Sequence, residues 1–221
     1  MRIYIIIPAF NESSELAGVL DSLLSLNYRI ILVDDGSTDD TAKIAAAFPV
    51  LLIRHELNLG QGAALETGME AAKRLQADFV IHFDADGQHG ASDIEQLLTP
   101  LRNGNADIVF GSRFLEKKAS GLSLSRKIVL KMARWINYMI TGILLTDAHN
   151  GLRALNKKAL QVIHFRQLGM AHASEILYQV RRQSLRYLEV PVHIRYTDYS
   201  KQKGQGILNS VNILFHLLFK R

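Results

Sequence analysis

The feature that most limits the fold of this sequence is an alternation of short apolar runs with amphipathic stretches, several of the runs ending abruptly in polar residues. Strand-like runs at 3–7, 29–33, 50–54, 79–83 and 107–110 alternate with helix-period patterns at 15–26, 41–48, 63–75 and 92–102. Runs without polar alternation are buried on both faces, the situation of a parallel strand beneath crossover helices. The expected fold is α/β, a mostly parallel central sheet with helices on both faces. After Gly111 the rhythm changes to basic, helix-prone sequence at 125–145, a polar turn at 146–151, a helical stretch at 174–184 and a strand at 188–194. With no linker or repeat, residues 1–221 are expected to form one domain.

Charge divides the chain. Residues 1–110 carry 7 Lys and Arg against 16 Asp and Glu, whereas residues 111–221 carry 19 against 5. An acidic half suits a metal and sugar hydroxyls, and a basic half suits phosphates or an anionic surface. The chain has no cysteine, which excludes disulfides, thiol nucleophiles and Cys-ligated metals and leaves oxygen or imidazole as metal ligands. The N-terminal apolar run meets Pro8 with no small-residue cleavage site, so it reads as a strand rather than a signal peptide. The apolar stretch 135–145 falls short of the ~20 residues of a spanning helix. No transmembrane segment is expected, and the expected location is the cytoplasm.

The polar strand ends carry the chemistry. Asp84-Ala85-Asp86 ends the fourth run, and alternate carboxylates at a strand end can turn toward one point, a donor set for Mg²⁺ or Mn²⁺ with positions open to diphosphate oxygens. Asp34-Asp35-Gly36-Ser37 follows the second run, where nucleotide-binding α/β folds place an acidic residue on ribose or base. Pro8-Ala9-Phe10-Asn11-Glu12 supplies an amide and a carboxylate where a phosphate-cradling loop would need glycines and a lysine. Asn58-Leu59-Gly60-Gln61-Gly62-Ala63 offers a glycine-rich turn opening a helix whose free N–H groups could face a ligand, with an ordinary turn as the commoner reading of such a sequence. In an open α/β sheet, ligands bind at such carboxyl ends.

Taken in order, these motifs resemble the family 2 glycosyltransferases of GT-A fold, and among them the dolichyl- or polyprenyl-phosphate sugar synthases. Further matches are Asp39, Gln88-His89, Gly111-Ser112-Arg113, Asp147-x-x-x-Gly151-x-Arg153 and Glu189-Val190-Pro191, so the resemblance covers nearly the whole chain. It implies an inverting transfer of a hexose from a nucleoside-diphosphate sugar to a polyprenyl phosphate. It implies a donor site at Pro8, Asn11, Glu12, Asp34, Asp35, Gly60, Asp84 and Ala85, with the metal at Asp84, Asp86 and Gln88. Asp86 and Asp147 are the catalytic candidates, Asp147 as a base where the acceptor is a hydroxyl. Arg113, Arg126, Arg195 and Lys201 are the candidates for the acceptor phosphate. Thr197-Asp198-Tyr199-Ser200-Lys201 lacks a glycine common before the Ser-Lys pair, and Asn150 replaces a small residue, departures that bear on the acceptor.

Residues 207, 208, 211, 214, 215 and 218 place apolar side chains on one helical face, with Asn209, Asn212, His216 and Lys220 opposite. With Lys117, Lys118, Arg126, Lys127, Lys131 and Arg134, this basic amphipathic elaboration is expected to lie on an anionic membrane surface. Many members of the resembled family continue into membrane helices here, so a separate transmembrane partner is a further expectation. Three other readings compete. A nucleotidyltransferase would need a glycine-rich basic loop after the first strand. A non-catalytic binding module would have no need of Asp84, Asp86, Gln88 and Asp147 together. A nucleic-acid-binding protein would not line its strand ends with acids, so no nucleic-acid partner is expected.

Overall fold

The computed structural model describes residues 1–115, 135, 138, 139, 141–148, 150–169 and 171–195. Its centre is a seven-stranded sheet: β1 (Ile3–Ala9), β2 (Arg29–Asp34), β3 (Leu51–Arg54), β4 (Phe79–His82), β5 (Ile108–Ser112), β6 (Arg153–Asn156) and β7 (Tyr187–Pro191). The spatial order is β3-β2-β1-β4-β6-β5-β7. All pairings are parallel except those of β6, which runs antiparallel to β4 and β5.

β1 is buried at every position, and its alternation divides the core. Ile3, Ile5 and Ile7 pack with Leu16, Leu20 and Leu23 of α1 (Leu16–Leu24) and with Ile94, Leu97 and Leu98 of α4 (Ile94–Arg102). The short α2 (Thr41–Ala46) adds Ala45 to that face. Tyr4 and Ile6 face the other way, toward Leu65 and Met69 of α3 (Gln61–Arg74), Leu160 of α5 (Lys157–Val162) and Ile176 and Leu177 of α6 (His172–Arg182). Helices therefore cover both faces, as expected for a buried central strand.

Pro8 lies beyond the last β1–β4 pair, Ile6 with His82, so its missing N–H breaks no bond on that side. β2 and β3 lie to one side of β1 and β4 to the other. The carboxyl ends of β1 and β4 thus form the crevice where an α/β sheet takes its ligand.

Several expectations need correction. β6 and α5 were not foreseen: four residues beginning with a buried Arg153 lack an apolar run, and Asn156 at once caps α5 by accepting the Ala159 N–H at 2.9 Å. The last strand ends at Pro191 rather than 194, because after Val192, whose N–H still reaches Ser112 O at the end of β5, the chain turns to bond the connection between β4 and α4. The amphipathic stretch from 207, and Arg126 and Lys201, lie outside the described residues. Among the described residues, no helix is long and apolar enough to cross a membrane.

Candidate active site

The crevice is walled by the loops after β1, β2 and β4. Asn11 adopts a positive φ of 54°, turning the chain so that its N–H donates to Ser37 Oγ at 2.9 Å while its Oδ1 accepts from the Thr38 N–H at 2.9 Å. The Glu12 N–H donates to Thr41 Oγ1 at 2.8 Å. Asp39 accepts from Ser13 and Thr41; these bonds outweigh its burial and bring its carboxyl down to about 2. The loops after β1 and β2 are thus one hydrogen-bonded unit.

Asp34 and Asp35 are both buried. Asp34 accepts the Ser37 N–H at 3.1 Å and lies 3.0 Å from Arg54 Nε. Asp35 Oδ1 meets His55 Nδ1 at 2.7 Å and the Leu59 N–H at 3.0 Å, and its Oδ2 accepts the Gly60 N–H at 2.7 Å. These bonds make the glycine turn an ordinary one, its Leu59 and Gly60 N–H groups used inside the fold rather than open to a ligand. The Gly62 N–H is also used, donating to Leu168 O at 2.8 Å. A Cβ on Gly60 would lie 2.3 Å from that same carbonyl, so glycine here serves backbone packing.

Asp84 is fixed from several directions. Its Oδ1 accepts from Gln61 Nε2 at 3.0 Å and its Oδ2 lies 3.2 Å from His89 Nε2. Gly151 packs so closely that a Cβ there would lie 2.0 Å from Oδ2. Burial works to raise the Asp84 carboxyl, but the His89 hydrogen bond and the charges of His89, Arg153 and His172 hold it below its ordinary value. Asp86 goes the opposite way: burial, then the Asp84 carboxylate, and more weakly Glu12, push it up to about 6. Its Oδ1 accepts the Gln88 N–H at 3.0 Å. Two carboxyl groups driven apart in this way form an oxygen donor set short of positive charge, which fits a hard divalent cation.

Sequence reasoning assigned no role to Gln61 or Arg153. Arg153 is 3% exposed, and burial lowers its guanidinium to about 10 against the pull of Asp84. The signal available for both was position in the motif alone.

At the ends of β5 and β7 the structure brings together Arg113, Asp147 and Glu189. Arg113 grips Asp147 with both prongs, Nε to Oδ2 at 2.7 Å and Nη2 to Oδ1 at 2.8 Å, and its backbone N–H adds a third bond. Asn150 Nδ2 lies 3.3 Å from the same carboxylate. Glu189 accepts from the N–H groups of Thr146 and Asp147 and from Thr146 Oγ1, fixing the turn that carries Asp147. Arg195 is exposed, its N–H donating to Gln88 O at 2.8 Å beside the acidic loop.

The family model for glycosyl transferase family 2 matches residues 4–163. The chain belongs to this family. It is 35% identical over 237 residues to a UDP-N-acetylglucosamine–dolichyl-phosphate N-acetylglucosaminyltransferase of Methanococcus voltae, covering 98% of this chain and 94% of that one. It is 29% identical to a dolichol-phosphate mannosyltransferase of Pyrococcus furiosus, covering 99% of this chain and 64% of the other. Glucosyl-3-phosphoglycerate synthase of Mycobacterium tuberculosis, solved with Mn²⁺, UDP and phosphoglyceric acid, superposes with a TM-score of 0.69 at 19% identity, covering 98% of this chain and 77% of that one. The fold of this family 2 enzyme is GT-A, and the protein is a glycosyltransferase.

A second carboxylate group in this glycosyltransferase lies elsewhere: Glu66 and Glu70 of α3 meet His164. Lys73 Nζ already sits 2.6 Å from Glu70 and 3.5 Å from His164, so the cluster carries its own cation.

Proposed function

We propose that this glycosyltransferase moves a hexose, with inversion, from a nucleoside-diphosphate sugar to the phosphate of a polyprenyl lipid at the cytoplasmic face of a membrane. In this reading the loops bearing Asn11, Glu12, Asp34 and Asp35 form the nucleoside side of the crevice, with Pro8, Gly60 and Ala85 shaping its floor. Asp84, Asp86 and Gln88 would hold Mg²⁺ or Mn²⁺, which when bound stabilises negative charge on the departing diphosphate. Gln61 and His89 keep Asp84 oriented, as outer partners of metal-binding carboxylates do. The acceptor phosphate oxygen attacks the anomeric carbon opposite the diphosphate, a new C–O bond forms as the old one breaks, and nucleoside diphosphate leaves.

The observation that carries the choice of acceptor is the Arg113–Asp147 fork. Both Asp147 oxygens are bonded to Arg113 and the side chain is buried, so Asp147 is poorly placed to reach the proton of an acceptor hydroxyl. A lipid phosphate is already ionised at neutral pH and needs no such base. The dolichyl-phosphate acceptors named for two relatives lend the same support.

The experiment is a radiolabel transfer assay with UDP-glucose, UDP-N-acetylglucosamine and GDP-mannose as donors, polyprenyl phosphate as acceptor, and Mg²⁺, Mn²⁺ or EDTA. Metal-dependent label in the organic phase is the expected result. Label appearing only on a glycan hydroxyl would overturn the assignment of the acceptor.

A further inference from the structure

Beyond β7 the chain crosses against the acidic loop. The Val192 N–H donates to Ser112 O at 3.0 Å, the His193 N–H to Asp93 Oδ2 at 2.8 Å, and the Arg195 N–H to Gln88 O at 2.8 Å, while Ile194 forms an antiparallel bridge with His89. Consecutive residues are therefore anchored, and all but the first are anchored to the loop that carries Asp84 and Asp86.

The side-chain anchor in this strap is Asp93. It is 2% exposed, and both oxygens face His193, Oδ2 taking the backbone N–H and Oδ1 lying 3.3 Å from ring Nδ1. A buried carboxylate is costly unless its hydrogen bonds are kept, so this contact fixes the register of the strap on the loop. Two residues on, the Arg195 side chain makes no hydrogen bond or ion pair among the described residues. Arg113, by contrast, is committed to Asp147. Of the described cations expected at the acceptor phosphate, Arg195 is the one available to a ligand.

We propose that Asp93 is a positioning residue that sets Arg195 against the acceptor phosphate by holding His193 in register. The inference rests on the lipid-phosphate reading. Pinning the backbone two residues before and directly at Arg195 lowers the entropy lost when its guanidinium engages an anion.

The test is a double-mutant cycle on the full chain, reading the KM for polyprenyl phosphate, the KM for donor and the Mn²⁺ affinity for wild type, Asp93→Asn, Arg195→Ala and the double variant. Each single substitution should raise the acceptor KM about tenfold, and the double variant should be no worse than Arg195→Ala, because both remove the same contact. Donor KM and Mn²⁺ affinity should not move. His193→Ala keeps the buried carboxylate and its backbone partner, and serves as the second variant if Asp93→Asn fails to fold; it should shift the acceptor KM in the same direction. Additive losses, or a loss that falls on donor KM or Mn²⁺ affinity, would overturn the proposal while leaving the parent reading intact. A wild type that labels a hydroxyl but no polyprenyl phosphate would sink both.

Discussion

Asp86 has a carboxyl at about 6 where the ordinary value is 3.8, and the consequence runs through both folding and metal binding. Between those values the folded, metal-free protein keeps a proton that the unfolded chain has released. This group therefore favours the folded state at low pH, and its contribution shrinks as pH rises toward about 6. A divalent cation takes the place of that proton, so the rise in melting temperature on adding Mg²⁺ or Mn²⁺ should grow as pH increases through about 6. Differential scanning fluorimetry across that range checks it; a metal-induced shift that ignores pH would contradict the role given to Asp86. Asp86→Asn should remove the pH dependence and reduce transfer by about 10²- to 10³-fold, the cost of losing one preorganised electrostatic contact. Arg113→Ala has a different signature. It strips Asp147, 3% exposed at its side chain, of its fork, and the melting temperature should fall by several degrees, as losing one partner of a buried pair does.

Elements explain which parts of the fold were legible. β1, β2, β4 and β5 announce themselves because a strand buried within the sheet is written as an apolar run, whereas β3, at the sheet edge and only partly buried, shows a run of the same kind without that burial. β6 cannot be read this way, since Arg153 is buried by virtue of a long-range neighbour, Asp84, rather than by its own hydrophobicity. The acidic strand end at Asp84-Ala85-Asp86 was visible for the same reason as the strands. The Arg113–Asp147 pair, separated by 34 residues, was not, because each partner has an independent reading as a ligand. The glycine turn before α3 carries two readings in the sequence, an ordinary turn or a ligand cradle, and its N–H groups are consumed by Asp35 and Leu168, which is the ordinary turn. Two glycine substitutions separate these uses. Gly60→Ala meets both a φ of 98° and the Leu168 carbonyl, and should destabilise the protein by about 2 kcal/mol or more, read by urea unfolding. Gly151→Ala pushes on the Asp84 carboxylate instead, so Mn²⁺ affinity and transfer should fall further than stability does; an unchanged Mn²⁺ affinity would remove Gly151 from the support of the site.

The whole molecule is electrically lopsided, with its excess of Lys and Arg confined to residues 111–221. Under the membrane reading, co-sedimentation with anionic phosphatidylglycerol vesicles should be strong at low salt and weaken as salt screens the basic half, while neutral phosphatidylcholine vesicles should retain little protein. Equal retention on both lipids would reject an electrostatic contact. The two charge halves are nevertheless not separable pieces of structure. β6, drawn from the basic half, is inserted between β4 and β5 of the acidic half, pairing Ile81 with Ala154 on one side and Val109 with Ala154 on the other. Anyone recombining enzymes of this kind to match a new donor with an old acceptor would therefore find no seam near residue 110. A chimera cut there trades away an inner slat of its own sheet, so exchange of specificity has to proceed loop by loop on an undivided frame.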